Sequence, residues 1–538
     1  MSSGAEDPGT LWELVRRAAQ SRPEAVAVRH GDQAVTFAGL RERVLAAARQ
    51  LPAHTAAPDL AGAAADPGIG AGAGIGTGTA TAGLLFENTL ECAVAFLAAA
   101  RAGLRLVPLE PDVGAPQLLA LRGQLGPLTL IGHEAKLRAL RTGDAGARGH
   151  WQGGGLVSVE ELLARPAPGA APDGPPLPPE PEPDAPFLYP YTSGSTGEPK
   201  AAVHSQRNLV HGGEIYAHTY GITPADRVLA AVPLLHSFGM VAGLVTALFS
   251  RAQLVLLGRF VPARLLRALH DHACTVLVGT PLAYDLLARS AAAPTAGQPA
   301  LPEALRLCLS SGAPLPAAVA DRFREHCGRD VCEVYGSTEA GVIAAQTPRD
   351  HGHEGDGGGP EPGVGRPVRG VRVRLLDEAG RPVPLGATGS LQVRTPAMFS
   401  HYLDRPGATA QAFRDGWYVT GDLARTDAEG RLHLVGRKDS FINVGGKKVN
   451  PTEVERVLLA HPAVAEAVVW GEAVGGTSER VRAAVVPRDG LGPAELTAHC
   501  RDRLLPHQVP GRIEFVASLP RSALGKVRRA AVARESGP

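Results

Sequence analysis

The stretch Phe187-Leu-Tyr-Pro-Tyr-Thr-Ser-Gly-Ser-Thr-Gly-Glu-Pro-Lys200 sets a short apolar run directly before a loop of hydroxyls and glycines that ends in Pro-Lys. Phe187, Leu188 and Tyr189 read as a buried strand. Thr192, Ser193, Ser195 and Thr196 supply hydroxyl donors. Gly194 and Gly197 let backbone N–H groups converge on an anion, and Lys200 adds a positive charge. Donors at that density suit a polyphosphate. The loop is not a Walker A sequence: G-x-x-x-x-G-K-[ST] is absent, and neither Gly446-Lys447 nor Gly525-Lys526 is followed by Ser or Thr.

On either side of this loop, apolar pulses alternate with helical stretches. Thr10-x-x-Glu13 reads as a capping box opening a helix with Leu11, Leu14, Val15 and Ala18 on one face. Leu84–Phe86, a helix around Thr89–Ala102 and Leu104–Leu109 follow. Further on, Gln253–Leu257, Cys274–Val278 and Arg306–Leu309 read as buried strands, with helices at Pro262–His272, Pro281–Arg289 and Pro316–Cys327. Such alternation predicts an α/β fold, a large N-terminal domain of mainly parallel sheets flanked by helices, with ligands at the carboxyl ends of strands. After about residue 436 the texture changes. Asn450-Pro451-Thr452-Glu453 reads as an N-cap, a first-turn proline and a capping-box glutamate before a helix with Val454, Val457 and Leu458 inward. Strands at Val464–Trp470, Val481–Val486 and Arg512–Val516 and a helix at Glu495–Leu505 complete a small, mobile α+β domain, so the division expected is 1–438 and 439–538. Residues 52–82, almost all Ala, Gly, Pro and Thr, read as a mobile surface insertion, and 166–186 as a Pro-rich extended connector. HGHEGDGGGP from His351 reads as a solvated loop rather than a metal site.

The 538 residues exceed what one core usually serves, and 44% hydrophobic content suffices for a large one. A formal charge of +1 gives no footprint for nucleic acid or an anionic membrane. Of 54 cationic residues only six are lysines: Lys136, Lys200, Lys438, Lys447, Lys448 and Lys526. In a chain that writes its charge with arginine, each lysine marks a place where a compact ammonium was kept. The six cysteines form no C-x-x-C pair, which suits reduced thiols. Residues 1–11 carry no signal-peptide pattern and no apolar run reaches membrane-spanning length, so a cytoplasmic location is expected.

The hydroxyl loop resembles the signature of the adenylate-forming superfamily of acyl-CoA synthetases, luciferase and peptide-synthetase adenylation domains. The resemblance runs in order along nearly the whole chain, from Val35-Thr-Phe37, Ala102-Gly103 and Pro108-Leu-Glu-Pro111 onward. Pro233-Leu-Leu-His-Ser-Phe-Gly239 resembles the acyl-pocket segment, Ser310-Ser-Gly-Ala-Pro314 the adenine turn and Tyr335-Gly-Ser-Thr-Glu339 the segment joining adenine, phosphate and magnesium. Trp417-Tyr-Val-Thr-Gly-Asp422 resembles the ribose-binding strand end and Gly436-Arg-Lys-Asp439 the hinge. Phe441-Ile-Asn-Val-Gly-Gly-Lys-Lys-Val449 and Pro520-Arg-Ser-Ala-Leu-Gly-Lys526 resemble the thiolation and catalytic-lysine loops. Ala201 and Ser390 depart from the family pattern, which has Gly and an acidic residue there.

The resemblance implies ATP, Mg²⁺ and either CoA or phosphopantetheine as partners of a two-step reaction on a small carboxylic acid, with no nucleic acid or membrane involved. Nucleotide binding falls to Thr192, Ser193, Gly194, Ser195, Thr196, Gly197, Lys200, Gly312, Ala313, Pro314, Tyr335, Gly336, Ser337, Asp422 and Arg437. Catalysis falls to Lys526, Glu339 (the Mg²⁺ ligand), Thr338 and His236. Asp439 is the hinge, Gly445, Gly446, Lys447 and Lys448 form the thiolation loop, and His236, Ser237, Gly239 and Gly341 line the acid pocket, with Gly243 and Gly336 adding room. Amino-acid-activating relatives carry an Asp at the position of Ser237, so a plain aryl or aliphatic acid is expected. The activity expected is an ATP-dependent acid–thiol ligase. The alternatives are a stand-alone adenylating enzyme of a biosynthetic pathway, serving a carrier protein or an amine (including diazo-forming relatives using nitrite), and a non-catalytic nucleotide-binding regulator.

Overall fold

The computed structural model describes residues 9–55, 80–142, 151, 154–164, 176–192, 199–258, 260–292, 301–351, 363–445, 447–475, 478–488, 492–521 and 527–535. Two large sheets organise the N-terminal part. In the first, six parallel strands run side by side in the order Cys332–Ser337, Leu307–Ser310, Val276–Gly279, Arg227–Ala230, Gln253–Leu256, Val26–His30. Antiparallel strands extend both ends of this set. In the second, Pro186–Leu188, Arg105–Leu109, Thr81–Leu85, Leu128–Gly132 and Leu156–Ser158 are parallel, and Lys200–Ser205 joins antiparallel beside Pro186–Leu188. The mainly parallel α/β architecture is thus present, with its carboxyl edges collecting the loops that carry the motifs.

Between the sheets runs helix Leu90–Arg101, buried at all but Glu91. Its sequence is apolar around the whole circumference and small at five alanines, so it can be packed from every side. Thr89 caps it by accepting from Cys92 N. Helix Leu11–Ser21 is capped by Thr10 and buries Leu11, Leu14, Val15 and Ala18 as its periodicity predicts. Residues 366–437 hold an element that the strand–helix alternation did not announce. This is an antiparallel sheet of Arg372–Leu376, Gly389–Arg394, Trp417–Thr426 and Phe413–Arg414, with Leu432–Arg437 paired on Trp417–Thr426. Toward the C-terminus, Val464–Gly475, Ser478–Pro487 and Arg512–Phe515 form a three-stranded sheet. It packs Val469, Val481, Ala483 and Val485 with Val454, Leu458, Leu496 and Cys500 of the helices Pro451–Leu459 and Pro493–Arg501.

Three expectations need correction. The low-complexity stretch does not reach residue 82: Thr81–Leu85 is a central, fully buried strand. Gly83 is small because Leu109 Cδ1 and Leu130 Cδ2 from the flanking strands fill its side-chain space, 2.7 and 3.0 Å from where a Cβ would sit. At its other end, residues 52–55 complete the helix Phe37–Thr55, while 56–79 lie outside the described residues. The Pro-rich connector ends in strand Pro186–Leu188 and is fastened before it, Pro178 O accepting from Arg101 and Glu180 from Trp12 Nε1. Asn450 caps its helix by accepting from Thr452 N, but Glu453 closes no capping box: its carboxylate accepts from Gln508 Nε2. All six cysteines are free thiols, five of them buried. No helix among the described residues is long and apolar enough to cross a membrane.

Candidate active site

Parallel pairing brings three motif loops to one edge of the first sheet. Ser310 and Glu333 are partners across neighbouring strands, so the turn Gly312-Ala313-Pro314 emerges beside Tyr335. Gly312 adopts a left-handed φ of +90°, which lets the chain fold back over the strand end. Two bonds hold that turn: Ser311 Oγ donates to Val334 O at 2.7 Å, and Leu315 N donates to Glu333 Oε1 at 3.0 Å. Burial pushes the Glu333 carboxyl up to about 7. Nothing in the motif pattern singled out Glu333, because it precedes the segment whose spacing carries the resemblance.

Strand Cys332–Ser337 turns back into Gly341–Ala345, leaving Thr338 and Glu339 at the tip of a tight hairpin. Gly336 and Gly341 serve the hairpin itself. A Cβ on Gly336 would meet Gly341 O at 2.3 Å, and Gly341 has φ +67°. Gly239 is likewise closed off, its Cβ position lying 2.4 Å from Pro233 O. The space freed at Gly336 and Gly239 is used by backbone, that at Gly341 faces the Ala397 Cβ at 3.3 Å, and that at Gly243 faces Ala230 and Leu234.

The antiparallel sheet delivers the rest. Asp422 lies mid-strand and is paired across the ladder with Arg437, whose Nη1 stands 3.5 Å from Asp422 Oδ1. Gly421, at φ +81°, leaves the space where a Cβ would sit 3.0 Å from Arg437 Nη2. The Tyr335 hydroxyl donates to Asp422 Oδ2, and burial together with that carboxylate holds the phenol protonated, well above its usual range. Glu339 is gripped twice: Phe399 N donates to its carbonyl at 2.7 Å and the Tyr402 hydroxyl to its Oε1 at 2.9 Å. Oε2 has no hydrogen-bond partner among the described residues. Strands Tyr191–Thr192 and Lys200–Ser205 form the neck of the hydroxyl loop, pairing Tyr191 with Ala201 and Thr192 with Lys200. Lys200 Nζ sits 5.6 Å from the centre of the Tyr402 ring. Two contact sets result, Tyr335–Asp422–Arg437 and Glu339–Tyr402–Lys200, and they are near enough that Arg437 acts electrostatically on the Tyr402 phenol and both Glu339 and Asp422 act on that of Tyr418.

His236 and Ser237 lie on the exit of strand Arg227–Ala230, and no bond joins them to that group among the described residues. His236 Nε2 is buried without a hydrogen-bond partner among the described residues, and burial pulls the imidazole down to about 4, so it is neutral near pH 7. The segment before it is fixed by Asn88, 6% exposed. Asn88 Oδ1 accepts from Leu234 N at 2.7 Å and its Nδ2 donates to Val232 O at 3.1 Å and Leu257 O at 3.3 Å. A further unforeseen residue is His204, 4% exposed, whose imidazole is drawn down to about 4 by burial.

Several predicted residues fall elsewhere. Ser193, Gly194, Ser195, Thr196, Gly197, Gly446 and Lys526 lie outside the described residues, as does the side chain of Asp439. The neck of the 522–526 loop is closed by a bridge between Arg521 and Val527, and Arg521 pairs with Glu466 of the small sheet. Lys447 and Lys448 are exposed on the hairpin of Ile442–Val444 and Lys447–Val449, whose turn holds Gly445 at φ +57°. Lys136 pairs with Asp112 at the surface.

No cluster of three or more ligating side chains that could hold a metal exists among the described residues. A single carboxylate with one free oxygen fits a hard cation that keeps several waters and takes its other ligands from substrate phosphates, which is the habit of Mg²⁺.

Residues 71–403 match the AMP-binding enzyme family and 453–526 the AMP-binding enzyme C-terminal domain. The chain is 36% identical over 380 residues to a sulfoacetate–CoA ligase of Cupriavidus necator, covering 70% of this chain and 72% of that one. It is 33% identical over 530 residues to a feruloyl-CoA synthase of Amycolatopsis sp., covering 97% and 98%. Among solved structures, ATP-bound MatB from Rhodopseudomonas palustris superposes with a TM-score of 0.80 at 26% identity over 97% of this chain and 98% of that one. The amide bond synthetase McbA from Marinactinospora thermotolerans does so at 0.78 and 29%, over 98% and 100%.

Proposed function

Because this chain belongs to the AMP-binding enzyme family, we propose that it is an AMP-forming acid–thiol ligase that activates a non-amino carboxylic acid with ATP and passes the acyl group to CoA. The observation that carries this reading is that distant parts of the chain supply two neighbouring sets of groups, Tyr335 with Asp422 and Arg437, and Glu339 with Tyr402 and Lys200.

The chemistry is two displacements. A carboxylate oxygen of the acid attacks the α-phosphorus of ATP and pyrophosphate leaves. The thiol then attacks the carbonyl of the mixed anhydride, giving the thioester and AMP. Each first-step partner is an anion, so the protein's task is to bring negative groups together and stabilise the charge that gathers between them. Tyr335 and the Gly312–Pro314 turn receive adenine. Asp422 accepts from the ribose hydroxyls, with Arg437 beside it to orient the carboxylate. Thr192 and residues 193–197 donate to the phosphates, and Lys200 approaches them from the loop's end. Glu339 would hold Mg²⁺, which when bound would supply positive charge to the triphosphate. Thr338 donates to the α-phosphate. Lys526 bridges it to the acid's carboxylate, where a compact ammonium fits better than a planar guanidinium.

Ser237 offers no anion to an ammonium group and His236 is neutral, which supports an acid without an α-amino group. The C-terminal domain from Asp439 onward turns about that residue between the steps, exchanging the Lys526 loop for the thiolation loop 445–448. A cytoplasmic setting is part of the proposal, in keeping with six unpaired thiols.

ATP–pyrophosphate exchange over aryl, short, medium and long acids tests the reading, followed by turnover with CoA, a carrier protein or an amine as acceptor. Exchange with at least one plain acid, and product with CoA, are expected. Tight ATP binding with no exchange for any acid would refute it.

A further inference from the structure

We propose that Tyr402 is a positioning residue that holds Glu339 and Lys200 in place while keeping the two from pairing with each other. The inference rests on the reading of Glu339 as the cation carboxylate and deepens it. Tyr402 belongs to the two-residue strand His401–Tyr402, paired antiparallel on Lys200–Ser205 with Tyr402 opposite Ala202. The ladder thus ties it to the strand that begins with Lys200. Its backbone N donates to Thr409 Oγ1 at 3.0 Å, and its ring lies 4.8 Å from that of Phe399, the residue whose N–H grips the Glu339 carbonyl. The position of the ring is therefore set by the same segment that sets Glu339.

From that position Tyr402 makes two contacts of different kinds. Its hydroxyl donates to Glu339 Oε1, which leaves Oε2 open. Its ring face meets the Lys200 ammonium at 5.6 Å from the ring centre. Lys200 and Glu339 form no ion pair among the described residues, although both touch this one side chain. A direct Lys–Glu pair would cancel the charge that a cation needs on Glu339 and the charge that phosphate needs on Lys200. A cation–π contact is a weaker hold than a charge-assisted pair with phosphate, so it keeps the lysine extended and yields it when the nucleotide arrives.

The two contacts are separable by substitution. Y402F keeps the ring and loses the hydroxyl, whereas Y402L loses both. Calorimetric titration of the full chain with ATP, with and without Mg²⁺, reads them independently of turnover. Y402F is expected to raise the Mg²⁺ concentration needed for tight ATP binding about tenfold, the size expected for one hydrogen bond to a charged group, and to leave metal-free ATP binding unchanged. Y402L is expected to weaken metal-free ATP binding as well. In an E339Q background Y402F should add nothing to the Mg²⁺ requirement, a result that a general loss of packing would not give. A wild-type Mg²⁺ requirement in Y402F, or an equal shift in the E339Q background, overturns the proposal for Tyr402 alone. Failure of the unaltered chain to bind ATP overturns the ligase reading, and this proposal with it.

Discussion

Replacing Glu333 by Gln isolates what a buried carboxyl under the adenine turn does to stability. Glu333 Oε1 accepts from Leu315 N, a bond that a glutamine carbonyl can also make, so E333Q keeps the turn's anchor and removes only the titration. Burial raises the carboxyl from its ordinary 4.5 to about 7 in the folded chain. A raised folded value means the native state holds its proton where the unfolded chain has released it. The stabilising contribution is then complete below pH 4.5, fades as pH rises and is gone above about 7. A shift of that size corresponds to about 3 kcal/mol at 1.36 kcal/mol for each unit. Urea unfolding of the two proteins from pH 4 to 8.5 should therefore give equal stabilities at the acid end. A gap of about 3 kcal/mol in favour of E333Q should open through pH 5 to 7 and stay constant above. The same series read by ATP affinity should show the wild-type turn loosening toward alkaline pH and the variant unchanged. A constant gap at every pH, or none, would refute the reasoning, since either result means Glu333 has the same proton affinity in both states.

Other expectations can be checked in the same preparations. Tyr335→Phe keeps the ring for adenine and removes the hydrogen bond to Asp422, so the KM for ATP should rise about tenfold with the KM for the acid unmoved, measured by pyrophosphate exchange. Asn88→Ala leaves the Leu234 N–H and the Val232 and Leu257 carbonyls unpaired, which should cost about 3 kcal/mol in unfolding experiments. Because it frees the segment bearing His236, the variant should also raise the KM for the acid more than that for ATP. Lys526→Ala should abolish formation of the acyl-adenylate yet largely spare thioester formation from supplied acyl-adenylate, and equal loss of both half-reactions would remove Lys526 from its assigned role.

Five of the six lysines fall within the hydroxyl loop and the segments proposed as hinge, thiolation loop and catalytic loop, and that scarcity was a pointer available before any coordinates. The strand–helix alternation, the Thr10 cap and the helix starts at Pro262 and Pro281 were legible because each is a local property, satisfied within one turn of helix or one strand. Thr81–Leu85 was hidden for the opposite reason. A strand with Gly83 at its centre reads as low complexity until Leu109 and Leu130 from its neighbours fill the space.

The linear order of residues thus determined the class of fold, the family and the kinds of groups available to the proposed site. Only the tertiary structure decided which of those groups touch and what holds them there. Tyr402 reaches Glu339 across 63 positions, Tyr335 reaches Asp422 across 87, and Asn88 spans 144 and 169 to clamp two loops. A lone tyrosine or asparagine has no local signature. Its role comes from the packing of two sheets and an antiparallel ladder that bring distant strand ends within hydrogen-bond distance.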